Sequence, residues 1–283
     1  MIGTMTTETN SFPARLHVFL ARDNPFQGLI LRRGPAKQVA CIGWNRSNDT
    51  FKSGQWLKGR IYEYECDLSP DGKYFLYAAM DKRANENWTA ISKVPYLTAL
   101  DLSFNPPCVL GGGLFISNKT YWVNYWRWPT LKSKFKRSPL TPVVEHPNAP
   151  KLERWNGLCL HRLQRDGWLP DNPINRNSYR FVKPVNRDWQ LVKTVSLGDS
   201  TSLGHGYIHE THQLVRHSDE QVVNLPDWEW ADLDHGRIVF AEKGKLCALP
   251  FTQDALEIGA VKVLHDFTSM VFKEVKAPYA KNR

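Results

Sequence analysis

Short apolar runs separated by turn-forming clusters recur along nearly the whole chain, and hardly any segment sustains the 3.6-residue periodicity of an amphipathic helix. The pattern predicts strands at 16–21, 28–31, 38–44, 60–67, 73–80, 88–92, 98–103, 113–116 and 120–125. From Trp126 to Trp155 it weakens, because Pro129, Pro139, Pro142, Pro147 and Pro150 forbid a long ladder. Strands resume at 158–163. An Arg165-Asp-Gly-Trp168 turn follows, then a polar stretch through Pro170, Asn172, Asn175 and Asn177. The closing section reads as strands at 189–195, 211–217, 221–225, 228–233, 237–241 and 245–250.

Three turns carry the clearest local instructions. In Ser69-Pro-Asp-Gly72, Pro70 pre-sets φ for the first turn position and Gly72 accepts a positive φ. Asp234-His-Gly236 and Glu242-Lys-Gly244 read as tight hairpins on the same grounds. Gly111-Gly-Gly113 precedes an apolar strand and lacks both the Walker lysine and the dinucleotide spacing, so it reads as a tight turn or bulge.

Segments 65–92, 99–125 and 229–251 share one shape of strand, turn, apolar strand, polar gap and strand. Weak repeats of about forty residues predict the blades of a β-propeller, in which sheets pack face to face around an axis. The expected architecture is all-β, with roughly five to seven irregular blades. Residues 1–14 are expected to be a flexible lead-in and 15–283 a single propeller domain, with 267–279 returning as a closing strand or a short helix.

The segment Leu68-Ser-Pro-Asp-Gly-Lys-Tyr-Phe-Leu-Tyr77 resembles the blade turn of TolB-like and WD-repeat-like bacterial propellers, and Trp228 to Phe240 resembles another such unit. Spacing is uneven and most blades lack a Gly-His or Trp-Asp signature. The series Leu31 to Pro35, Asp49 to Arg60 and Trp88 to Ser92 also resembles a family of uncharacterised bacterial proteins with no assigned activity. These resemblances imply a fold, not a function.

Composition narrows the setting. Residues 1–12 are polar and lack the basic and apolar regions of a secretory signal, and no apolar run reaches membrane-spanning length. Cys41, Cys66, Cys108, Cys159 and Cys247 are scattered singly beside β-prone residues, which suits small buried hydrophobes in a reducing cytoplasm. The net charge of +9 is uneven. Residues 1–140 hold 19 Lys/Arg against 10 Asp/Glu, and residues 141–283 hold 18 of each. No acidic residue lies between Asp101 and Glu145, where Lys119, Arg127, Lys132, Lys134, Lys136 and Arg137 stand.

Four constellations bear on chemistry. The aromatic and basic residues Tyr121, Trp122, Trp126, Arg127, Trp128, Lys132, Lys134, Lys136 and Arg137 suit a protein partner with an acidic face or a stacked single-stranded nucleic acid. A core strand followed by a solvated loop would produce the same pattern. His205, His209 and His212 gather imidazoles that could hold a metal, but on a strand His209 and His212 face opposite sides, so loop or surface histidines are the plainer reading. Asp67, Asp101, Asp232 and Asp234 occupy comparable blade positions, where acids could converge on a central channel or cap turns. Residues 198–204 contain no nucleophile elbow and read as a polar loop.

The expectation drawn from these residues is a non-catalytic cytoplasmic protein-binding or scaffold module, without cofactor, using a propeller face and the basic aromatic loop. A propeller hydrolase or lyase with acids and histidines at the channel is the alternative, and nucleic-acid binding the third.

Overall fold

The computed structural model describes residues 14–34, 37–81, 84–105, 111–124, 133–143, 157–171, 174–198 and 207–280. The first sheet is an antiparallel meander of β1 (Arg15–Leu20), β2 (Gln27–Arg33), β3 (Gln38–Asn45) and β4 (Thr50–Lys58). The second begins with β5 (Arg60–Ile61), passes a single 3-10 turn at Glu63–Glu65, and continues through β6 (Asp67–Leu68), β7 (Tyr74–Asp81), β8 (Glu86–Lys93) and β9 (Asp101–Asn105). β10 (Gly113–Phe115) and β11 (Thr120–Val123) open the third sheet. β12 (Ser133–Lys136) then turns back to lie antiparallel to β9 on the edge of the second sheet, and β13 (Thr141–Val143) pairs parallel with β11. Helix α1 (Gly157–Arg165) precedes the fourth sheet of β14 (Leu169–Pro170), β15 (Ser178–Pro184), β16 (Trp189–Leu197), β17 (Ile208–Arg216) and β18 (Val222–Leu225). The fifth sheet comprises β19 (Trp228–Asp234), β20 (Arg237–Glu242), β21 (Lys245–Pro250) and β22 (Lys262–Asp266).

Each core cluster lies between two sheets, which makes the arrangement propeller-like. Strand period two assigns alternate residues of one strand to two different cores. On β3, Val39 and Cys41 face the second sheet, while Ala40, Ile42 and Trp44 face the fifth. On β20, Ile238 and Phe240 face the fourth sheet, while Val239 and Ala241 face the first. Leu76 and Ile91 turn from the second sheet onto Phe115, Tyr121 and Val123 of the third. Burial on both faces explains why these strands read as continuous apolar runs rather than polar alternations. Leu29, Ile30 and Leu31 are all fully buried, each worth about 1.5–3 kcal/mol by transfer.

The first and last sheets meet directly, with β1 packing on β19, β20 and β21. Residues 267–280 then cross the first two sheets as an irregular strap, neither the strand nor the helix considered from sequence. Arg32, buried, donates to the Phe267 and Thr268 carbonyls at 3.1 and 2.9 Å, and Gln55 Nε2 donates to the Val275 carbonyl at 2.8 Å. The Tyr279 hydroxyl donates to the Thr98 carbonyl at 2.8 Å and accepts from the Lys93 amide at 3.1 Å.

The turn expectations hold. Gly72 has φ +75°, and its amide closes the turn on the Ser69 carbonyl at 2.8 Å. His235 and Gly236 have φ of 48° and 72°, and Lys243 and Gly244 have 48° and 80°, so both hairpins turn through two left-handed residues. Gly112 has φ +87°, and a Cβ there would sit 2.1 Å from the Glu65 carbonyl.

The strand expected at 158–163 is instead α1. Leu158, Cys159, Arg162 and Leu163 are its buried residues, a helical spacing that a short apolar run does not separate from a strand. β4 and β15 were absent from the expected strands. Several exposed or half-buried polar positions interrupt β4, and β15 buries only Phe181 along its length.

Candidate functional site

A recess of about 400 Å³ lies where the sheets meet, lined from β1, β6, β15, β16, β17, β19 and α1 with its following turn. Its apolar wall includes Val18, Leu20, Leu68, Leu163, Trp230 and Leu233. Its charged lining comprises the cations Arg22, Arg46, Arg162, Arg165, Lys183 and Lys193, and the acids Asp67, Asp166, Glu210 and Asp232.

Most of these charges are locked in pairs. Arg165 grips Asp67 bidentately at 2.7 and 2.8 Å, while Asp67 also accepts from the Phe115 and Leu68 amides at 2.7 and 2.9 Å. Burial alone would raise the Asp67 carboxyl, but Arg165 and these donors hold it below its usual range. Lys183 Nζ donates to Asp232 at 2.6 Å and to the Asp166 carbonyl at 2.9 Å, and Trp168 Nε1 donates to Asp232 at 3.2 Å. Arg46 donates to Asp234 at 2.9 and 2.5 Å, and Arg237 donates to the same carboxylate at 2.9 Å.

Deeper in, Lys193 Nζ donates to Glu210 Oε2 at 2.7 Å and lies over the Trp168 ring at 4.7 Å. Burial opposes ionisation of Glu210, yet Lys193 keeps its carboxyl well below the usual carboxylate range. His212 Nδ1 donates to the Trp228 carbonyl at 3.0 Å, leaving Nε2 without a hydrogen-bond partner among the described residues, 3.4 Å from Glu210 Oε2. Burial lowers its pKa and favours this neutral ring.

Two guanidiniums differ from the rest. Arg162 is buried and, among the described residues, has no carboxylate within ion-pair distance: it donates to the Cys66 carbonyl, the Glu63 carbonyl at 3.1 Å and His17 Nε2 at 3.3 Å. Burial, and next Arg162, push the His17 ring down to about 3, so it accepts as a neutral imidazole. Among the described residues, Arg22 makes only long polar contacts, 3.4 Å to the Phe115 carbonyl and 3.8 Å to Asp166. Burial and the adjacent charge of Arg165 lower its pKa.

The residues expected from sequence distribute as follows. Asp67 and Asp232 line the recess, and Asp234 reaches it through Arg46. Asp101 lies elsewhere, accepting from the Arg137 and Ser138 amides at 2.7 Å and from the Tyr121 hydroxyl at 3.2 Å. His212 is buried beside Glu210, His209 is half-buried on the opposite face of β17, and His205 lies outside the described residues. Among the described residues, no group of three or more His, Cys, Asp or Glu is placed to hold a metal ion.

Tyr121 is a core residue against Phe115, and Trp122 is half-buried on β11. Trp126, Arg127, Trp128 and Lys132 lie outside the described residues. Lys134, Lys136 and Arg137 are exposed along the β12 edge, with Lys134 Nζ over the Phe104 ring at 4.7 Å and Arg137 over Phe135 at 4.7 Å. Cys41, Cys66, Cys159 and Cys247 are buried and unpaired, and Cys108 lies outside the described residues.

The recess cations were not singled out from sequence, although one signal was available. Lys193 shares the inward phase of Trp189, Leu191 and Val195 on β16, and Glu210 and His212 share that of Leu214 on β17. A charge in the apolar phase of a strand marks a buried, paired group.

No helix among the described residues is long and apolar enough to cross a membrane. No protein-family model matches the chain, and no curated protein matches it. An uncharacterized protein from Listeria monocytogenes EGD-e aligns with 83% of the chain at 9% identity and a TM-score of 0.33, and the chain spans 62% of that protein's length. The β-propeller domain of the Trilobed protease from Pyrococcus furiosus, described as having an open velcro topology, aligns with 90% of the chain and 100% of its own length at 8% identity and a TM-score of 0.27.

Proposed function

We propose that the protein is a non-catalytic binding module that receives an acidic group of its partner at the mouth of the central recess. The observation that carries this reading is the imbalance of charge there. Six cations line the recess against four acids, and Asp234 supplies one further carboxylate to Arg46, so one positive charge remains. Each lining carboxylate already has a cation within ion-pair reach, which leaves donors rather than acceptors for a newcomer. The exposed Lys134, Lys136 and Arg137 on the β12 edge add a second basic surface for an acidic protein face.

The competing hydrolase or lyase reading draws on Asp67 and Asp232, which both line the recess. Arg165 holds the Asp67 carboxyl below its usual range, whereas a general acid needs a raised pKa, and Asp232 is engaged by Lys183 and Trp168. The test is affinity purification from the native cell with wild-type protein, an Arg22→Gln variant and a Lys134→Glu/Lys136→Glu variant. The reading expects a stoichiometric acidic partner with the wild type, lost at higher salt and depleted by at least one variant. A partner retained equally by all three, or none, overturns it.

A further inference from the structure

Among the recess cations, Arg22 is the one whose guanidinium makes no hydrogen bond or ion pair shorter than 3.4 Å with the described residues. It lines the same recess as Arg165, its neighbour in charge, and its side chain is 21% exposed, so it is reachable from solvent. Arginine presents a planar fork of donors that matches oxyanions, and a partly desolvated guanidinium without a close acceptor is poised to take one.

Arg165 cannot release Asp67 cheaply, because that carboxylate is fully satisfied by four donors, and its charge is thereby neutralised toward an incoming anion. Asp166, a second nearby acid, is tied to Arg165 Nε at 2.9 Å, and Asp23 contributes the weakest of the three acidic charges acting on Arg22. Arg162 adds a positive charge with no carboxylate of the described residues in ion-pair reach, its donors lying on carbonyls and His17. The remaining wall is apolar at Leu20, Leu68 and Leu233, and the volume of about 400 Å³ exceeds what a bare ion fills.

We propose that the recess binds a small organic phosphate, its phosphoryl oxygens accepting from Arg22 beside Arg165 and its body lying against the apolar wall. A phosphate suits this setting better than a single carboxylate because its oxygens can satisfy several guanidinium donors while the field of Arg162 supports its charge. This inference rests on the reading of the recess as the binding site and names the chemistry the site takes.

The test is calorimetric titration of the full chain with phenyl phosphate at pH 7, with inorganic phosphate and benzoate as separate arms at matched ionic strength. Saturable binding of phenyl phosphate is expected, weaker binding of inorganic phosphate, and weaker still of benzoate. Arg22→Gln should weaken phenyl phosphate at least about tenfold, the loss of one charge-assisted hydrogen bond, and Arg22→Lys should weaken it less. Arg187→Gln, at an exposed pair with Asp254, should leave it unchanged. Circular dichroism establishes that each variant is folded, and Arg22→Lys carries the test if Arg22→Gln is not. No saturable binding, equal binding to the Arg22 variants, an equal loss in Arg187→Gln, or benzoate binding as tightly as phenyl phosphate overturns the phosphate assignment. Capture of an acidic partner through Arg22 in the purification experiment would still stand, so the two failures are distinguishable.

Discussion

Glu65 ends the 3-10 turn, is 3% exposed, and leaves Oε1 without a hydrogen-bond partner among the described residues. Burial raises its carboxyl from 4.5 to about 8, against the opposing charge of Arg162. The folded state therefore keeps a proton that the unfolded chain releases. The stability this supplies is fully present below about 4.5 and is lost as pH rises to about 8, at about 1.4 kcal/mol per pH unit. His17 acts in the opposite sense: its folded pKa of about 3 lies below 6.5, so its contribution grows as pH rises between those values and then stops. The interval from 6.5 to 8 is thus where Glu65 dominates, and over it wild-type protein should lose about 2 kcal/mol. Glu65→Gln keeps the shape of the side chain and removes the titration, so its stability should stay level across that interval. Urea unfolding of both proteins at half-unit steps from pH 6 to 9 reads this directly. Parallel pH profiles for the two proteins would refute the reasoning, because Glu65 would then be ionised or solvated in the fold.

Three further outcomes follow from contacts that join distant parts of the chain. Asp234→Ala leaves Arg46 and Arg237 without their shared carboxylate and should cost about 3–5 kcal/mol in chemical denaturation. Gly112→Ala places a Cβ 2.1 Å from the Glu65 carbonyl at φ +87°, so it should lower stability by more than about 2 kcal/mol, while Gly236→Ala, with nothing within 4 Å, should cost only its backbone strain. Tyr279→Phe removes the hydroxyl that bridges the Thr98 carbonyl and the Lys93 amide; a loss of about 1–2 kcal/mol and faster amide exchange at Lys93 are expected.

The parts of the fold legible from sequence are those whose instructions are local. The turns at Gly72, Gly236 and Gly244 declare themselves because a left-handed backbone selects glycine within a few residues of the strands it joins. The runs at β3, β7 and β20 declare themselves because both of their faces are buried. Helix α1 does not, since Leu158-Cys-Leu160 satisfies strand and helix patterns alike over so short a span. The recess is less legible still. Its pairs span 98 residues between Arg165 and Asp67 and 188 between Arg46 and Asp234, and no local pattern couples such positions. Lys193 and Glu210 are the exception, being 17 residues apart on adjacent strands and both charged at positions in the buried apolar phase of their strands.

These same pairs give the recess a structural duty that constrains what it can bind with. Arg46 to Asp234 joins the first sheet to the fifth, Lys183 to Asp232 joins the fourth to the fifth, and Arg165 to Asp67 joins α1 to the second. Arg162 ties α1 further to the carbonyls of Glu63 and Cys66 and to His17 of the first sheet. Breaking any of these to accommodate a ligand would strand a buried charge at a cost of several kcal/mol. Arg22 is different, because giving up its long contacts costs little: Asp166 retains Arg165, and the Phe115 carbonyl loses only a 3.4 Å bond. The staples between sheets and the proposed ligand contact are therefore separable by mutation, with Asp234 reporting on the fold and Arg22 on binding.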